Sequence, residues 1–218
     1  MNARVGYAVA LLFVASLSAG CASTRSEISI SSPTAAPTRQ AAAGRAVYIR
    51  SVTDERVFEQ TPREPGSPSL GFEGAEQASS DVKARAVGRK RSAYGKAMGD
   101  VLLQNRQTVV GIVRENLTAA FRNAGYRVVT DPTGTPIVVD VRIKQFWAWF
   151  TPGFASIKLS ANIETDLGGS GGGAPTSIRV HVDESRQAAT NGAWVQILEK
   201  ALGDYRVQVE STLSKRPF

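Results

Sequence analysis

The sequence predicts an α+β protein built as a two-layer sandwich, a mainly antiparallel sheet with two amphipathic helices on one face. Three observations predict it. From Ile137 onward the chain alternates apolar and polar residues with a period of two through two long segments and a third, shorter one. Two other segments carry apolar residues at helical spacing, and the alternating segments are joined by Gly- and Pro-containing turns such as Thr151-Pro152-Gly153.

From Ala22 to Gly44 the sequence is mostly Ser, Thr, Ala and Pro, a composition that buries too little surface to order itself, and it reads as a tether. Val47–Val52 is the first strand, and Asp54-Glu55-Arg56 behind it reads as a charged strand end. Thr61 to Ser80 carries three prolines and three glycines without periodicity and reads as irregular loop. Between Asp81 and Lys96 six basic residues face one acid, and a hairpin with arms Val82–Lys90 and Val101–Leu103 fits the pattern. Two readings of Lys83, Arg85, Arg89, Lys90 and Arg91 stand side by side: a basic loop that meets an anionic surface, or a solvated charge run.

Val109, Ile112, Val113, Leu117, Ala120, Phe121 and Ala124 follow a helical repeat that Gly125 closes. Tyr126–Val129 is a short strand and Asp131-Pro132-Thr133-Gly134 a turn. Uninterrupted alternation puts Ile137, Val139, Val141, Ile143, Trp147 and Trp149 on one face, with Asp140, Arg142, Lys144, Phe146 and Phe150 on the other. After the turn, Ala155, Ile157, Leu159, Ala161 and Ile163 share a face, and beyond the glycine run 168–173 so do Ile178, Val180 and Val182. Trp194, Ile197, Leu198, Ala201, Leu202, Tyr205, Val209 and Leu213 form the closing amphipathic helix.

The uninterrupted register has a corollary. Phe146, Phe150 and Phe154 would stand together on the wet face, a candidate partner or membrane contact, unless a bulge near Gln145 turns them inward and displaces the tryptophans.

With 218 residues, 42% hydrophobic and 21% charged, the composition is that of one globular domain plus processing and linker segments. The N-terminus reads as an export signal: Arg4 in the positive region, an apolar run from Val5 to Ser16, and small residues before Cys21. The run is too short to span a membrane. The expected organisation is therefore a signal peptide over 1–20, a lipidated cysteine and disordered tether over 21–44, and a single periplasmic domain over 45–218 with a long basic loop around 54–107.

Cys21 is the only cysteine, so no internal disulfide can form. Ser18-Ala19-Gly20-Cys21 resembles the lipobox of bacterial lipoproteins, in which the cysteine thiol is alkylated by diacylglycerol and the new amine is acylated after cleavage. Two or more acyl chains anchor a protein stably where one does so only marginally. By the same resemblance, Ala22 behind the cysteine implies the periplasmic side of the outer membrane. Loss of Arg4 with the signal leaves 25 of the 26 basic side chains against 19 acids, a balance suited to anionic partners. In that compartment these are lipid headgroups, lipopolysaccharide, cell-wall polymer or acidic protein, not nucleic acid.

Catalytic constellations are not legible. His181 is the only histidine and sits at an outward strand position, which leaves no His/Cys metal site and no partner for a nucleophile triad. The glycine run lacks the lysine and hydroxyl of a phosphate loop. No catalytic residue, metal or cofactor is expected.

The segment Leu17–Cys21, the strand ending in Val52-Thr53-Asp54-Glu55-Arg56, the helix running into Ala124-Gly125-Tyr126-Arg127-Val128-Val129, and the closing helix together resemble the YajG-like family of bacterial lipoproteins. The resemblance implies an outer-membrane lipoprotein with no catalytic residue. The expected function is a non-catalytic binding or assembly accessory of the envelope, supporting a transport, secretion or flagellar assembly. The alternative is a structural protein whose basic surface holds anionic cell wall or lipopolysaccharide.

Overall fold

The computed structural model describes residues 25–34, 44–71, 74–91, 97–104, 106–169 and 174–215. In chain order the elements are β1 (Ser26–Ile28), β2 (Ala46–Asp54), α1 (Gly74–Gln77), α2 (Ser80–Arg85), β3 (Ala86–Arg91), β4 (Ala97–Leu103), α3 (Val109–Asn123), β5 (Arg127–Val129), β6 (Ile137–Pro152), β7 (Ile157–Gly169), β8 (Thr176–Arg186) and α4 (Asn191–Lys215).

The strand β6 organises the sheet because its two edges do different things. One edge pairs antiparallel with β7, which pairs antiparallel with β8. The other is shared: its first half runs parallel to β2, from Val47↔Ile137 to Asp54↔Ile143, and its second half meets β3 in parallel at Gly88↔Ala148. Further out, β2 carries β5 in parallel, β3 carries β4 antiparallel, and β4 carries β1 in parallel.

Four of these seven pairings are parallel, so the sheet is mixed and the expectation of a mainly antiparallel sheet is corrected. The physical reason is the long connection from β2 to β5, which includes α3 and lets two strands separated in sequence lie side by side in the same direction. Alternation reveals a strand but not the direction of its neighbour.

Sequence chemistry sets the ends of α3. Thr108 caps its start, Oγ1 accepting from the Gly111 N–H at 3.1 Å. At its end Gly125 takes φ +87°, a conformation glycine adopts without a Cβ penalty. The Gly125 and Tyr126 N–H groups then bond back to the Arg122 and Phe121 carbonyls, and the Phe121 and Tyr126 rings meet edge-on at 5.6 Å.

Both long helices cover the same face of the sheet. Val113, Leu117 and Phe121 of α3 and Trp194, Ile197, Leu198, Ala201 and Tyr205 of α4 bury against Val139, Val141, Ile143, Leu159, Ala161, Ile163 and Ile178. On the opposite face a second, smaller cluster forms from Leu70, Ala78, Ala86, Leu102 and Trp147, with Phe58, Val82 and Trp149 at its margin.

A bulge decides which aromatic side chains go where. Opposite β7 the register steps from Ile143↔Thr165 to Gln145↔Glu164, so Lys144 is the extra residue. One extra residue inverts the faces of everything after it. Phe146 and Ala148 therefore join Val141 and Ile143 in the main core, with Phe150 packed at its edge, and Trp147 crosses to the second cluster. The uninterrupted alternation is corrected from Lys144 onward.

Two further corrections follow from packing. Residues 25–34, expected within a disordered tether over 21–44, include β1, and Ile28 and Ile30 are each 3% exposed. Gln107 secures this segment, its Oε1 accepting from the Ile30 N–H at 3.1 Å and its Nε2 donating to the Ile30 carbonyl at 2.7 Å. Two isoleucines within a polar stretch hardly move its average composition, yet strand pairing and these bonds order it. The long basic loop expected around 54–107 likewise contains the helices α1 and α2, while its β3 and β4 pair antiparallel, as the hairpin expected between Val82–Lys90 and Val101–Leu103, with the first arm beginning at Ala86.

Candidate functional site

Cys21, the predicted lipidation site, lies outside the described residues, so the site begins with Arg25, four residues further on. The five basic candidates do not form one loop. Lys83 and Arg85 lie on α2, while Arg89, Lys90 and Arg91 form the end of β3. Arg85 is structural in its contacts: it bonds Asp81 and Glu27 at 3.0 Å each and the Leu103 carbonyl at 2.9 Å, fastening α2 to β1 and β4.

The end of β3 is chemically different. Asp100 on β4 is fully buried and accepts from the Gly71 N–H at 2.7 Å and from Arg25 Nε at 3.3 Å. Arg89 lies opposite it in the ladder. Arg91 donates to Ser69 Oγ at 3.2 Å, and Lys90 Nζ bonds Ser26 Oγ on β1. Burial and the neighbouring Arg91 push the Arg89 guanidinium below its usual value, and burial lowers Lys90 and Arg91 as well. Arg89 Nε is buried without a hydrogen-bond partner. Several cations thus gather around one buried carboxylate, an excess of positive charge that suits an anionic ligand.

Arg56, by its sequence part of a charged strand end, has a role that the sequence reading does not reveal. Its guanidinium is wholly buried. It grips Asp54 through two bonds of 2.8 and 2.7 Å and donates to the carbonyls of Ala86 (2.6 Å), Phe146 (3.1 Å) and Lys83 (2.7 Å). Phe58 covers it, the ring centroid 5.1 Å away. The residue ties β2 and β6 to the 55–86 segment. The available signal was the Asp-x-Arg spacing, which lets a strand-end carboxylate hold a guanidinium two residues on.

The aromatic patch does not assemble. Phe146 is fully buried, and Phe150 packs edge-on against Trp194 at 6.3 Å, both drawn inward by the bulge at Lys144. Only Phe154, in the turn between β6 and β7, is fully exposed, at 110%.

On the outer side of β7 and β8, Ser160, Asp183, His181, Asn162 and Gln145 form a chain of polar contacts. Its order is wrong for a nucleophile triad. Ser160 Oγ, nearly buried, donates to Asp183 at 2.5 Å, and Asp183 rather than the serine meets His181 Nε2 at 3.2 Å. Serine's bond to Asp183 holds that carboxyl below the usual range, with Lys158 and His181 assisting. Among the described residues there is no group of three or more His, Cys, Asp or Glu placed to hold a metal ion. Nor is any described helix long and apolar enough to cross a membrane.

No family model and no curated protein matches the chain. Among solved structures it is similar to protein XCC0632 from Xanthomonas campestris, of the DUF330 family, with 12% identity, a TM-score of 0.46, and coverage of 87% of this chain and 94% of that one. It is also similar to a protein described as uncharacterized, with 12% identity, a TM-score of 0.42, and coverage of 78% and 99%. The structural similarity is weak and does not point specifically to the YajG-like family.

Proposed function

We propose that this chain is a lipid-anchored envelope lipoprotein, YajG-like in organisation, acting as a non-catalytic binding or assembly accessory on the periplasmic side of the outer membrane. The observation that carries this reading is Cys21, the sole cysteine, behind Leu17-Ser18-Ala19-Gly20 at the end of an export-type leader. A thiol flanked by small residues is what diacylglycerol transfer and lipoprotein-type cleavage require. The partner is another envelope protein in a transport, secretion or flagellar assembly. Chemical crosslinking in intact envelopes tests it: the reading expects a crosslinked species of fixed mass and composition, and exclusively monomeric chain counts against it.

The basic end of β3 favours a second reading, in which the domain holds anionic cell wall or lipopolysaccharide and has no protein partner. Salt-sensitive sedimentation with either polymer, without a crosslinked complex, would select that reading.

A further inference from the structure

The strand registers bring three features to one end of the sheet. Ser26 stands opposite Val101, Val101 opposite Gly88, and Gly88 opposite Ala148, so the start of β1 is level with Ala148 on β6. From there β3 runs on through Arg89, Lys90 and Arg91, and β6 runs in the same direction to Pro152 and the turn that carries Phe154. At about 3.3 Å per residue, Pro152 lies about 13 Å beyond the level of Ser26. Cys21 precedes Ser26 by five residues, a covalent reach of at most about 18 Å. An acyl anchor on Cys21 can therefore lie in the plane of the β6–β7 turn.

Charge at this end favours a negative surface. Asp100 is buried and engaged by Arg25 and Gly71. Asp183 pairs with Lys158, and Glu184 with Arg186 and Lys200. No such carboxylate partner accompanies Lys90 or Arg91 among the described residues, and Phe154 adds an apolar side chain with nothing over it.

Resting on the lipoprotein reading above, we propose that this end is a membrane-apposed face. Phe154 enters the boundary between headgroups and acyl chains, and Arg89, Lys90 and Arg91 bind the phosphates of anionic lipids in the leaflet that holds the anchor. The domain then sits against the membrane in one orientation and presents its opposite end, with the 131–136 turn, to the periplasm.

The test uses the processed full chain reconstituted into phosphatidylcholine vesicles with or without phosphatidylglycerol. Two single-cysteine labels are compared, Phe154→Cys and, in the exposed turn at the other end of the sheet, Thr133→Cys, each carrying an environment-sensitive fluorophore quenched by nitroxide lipids. The expected result is quenching at position 154 but not 133, on the anionic vesicles and reversed by high salt. Each Lys or Arg at an anionic surface contributes about fivefold, so Arg89→Gln/Lys90→Gln/Arg91→Gln lowers the ratio of docked to undocked domain by up to about a hundredfold. A water-like label at 154, equal quenching at both positions, or docking unchanged by salt and by the triple variant would overturn the proposal. The mass of the purified chain reads the anchor separately. Without acyl chains the lipoprotein reading fails, and with the then free Cys21 replaced by serine the two labels still report whether this end docks.

Discussion

Arg25 Nε lies 3.3 Å from Asp100 Oδ2, an ion pair across 75 residues that fastens the segment nearest Cys21 to β4. The carboxylate is wholly buried and the arginine side chain 31% exposed, so the pair sits at the rim of the fold. Asp100→Ala removes the acceptor for both Arg25 and the Gly71 N–H and leaves Arg89 beside Arg91 without a counter-charge. Loss of a buried partner costs about 3 kcal/mol or more. Hydrogen exchange at residues 25–30 should accelerate beyond the global effect, because β1 contributes only three residues of pairing.

Arg56 is the strongest tie between the 55–86 segment and the sheet. Arg56→Met leaves three carbonyls and Asp54 without their donor, and the expected loss is about 3–5 kcal/mol by chemical denaturation. Stability within 1 kcal/mol of wild type would show that methionine's packing offsets the network.

The bulge at Lys144 makes opposite predictions for two phenylalanines four residues apart. Phe150→Asp places a charge against Trp194 and the main core and should cost several kcal/mol. Phe154→Asp changes an exposed turn and should stay within about 0.5 kcal/mol. Two melting curves decide this, and a mild effect at Phe150 would contradict the inverted register.

Stability should fall in acid. Bonds from Arg50 and Ser51 hold Asp140 below the usual carboxylate range, Ser160 does so for Asp183, and Lys200 for Glu184. A carboxylate whose pKa is depressed by folding contributes stability that is present above its unfolded pKa, about 3.9 for Asp and 4.3 for Glu, and lost as pH falls through the folded value. The melting temperature should therefore hold through neutral pH and decline below about pH 4. These carboxylates are partly exposed, so salt should soften the decline.

Much of the fold was legible because long periodic segments announce themselves. Both major helices appear in the repeats of Val109–Phe121 and Trp194–Leu213, and Gly125 marks its cap. What stayed hidden was set by tertiary partners. The sequence offers the bulge only as an alternative, through the phenylalanines that an uninterrupted register would leave on the wet face, and the pairing around Lys144 decides it, exchanging the faces of Phe146 and Trp147. Asp100 offered a faint signal, one acid leading into Val101-Leu102-Leu103. Its meaning depends on Arg25 and Gly71, which no local pattern connects to it. Of the candidate contact residues, Phe154 keeps its exposed place, Arg89, Lys90 and Arg91 end one strand, and Lys83 and Arg85 belong to a different element.

The central claim is the anchor at Cys21, and membrane fractionation of Cys21→Ser beside the wild-type chain tests it most directly. Wild type should fractionate with membranes as a cleaved chain whose N-terminal peptide carries the mass of attached acyl groups. The serine variant should appear as an uncleaved precursor or as soluble protein. A serine variant that is cleaved and still membrane-bound would contradict the account and place the anchor elsewhere.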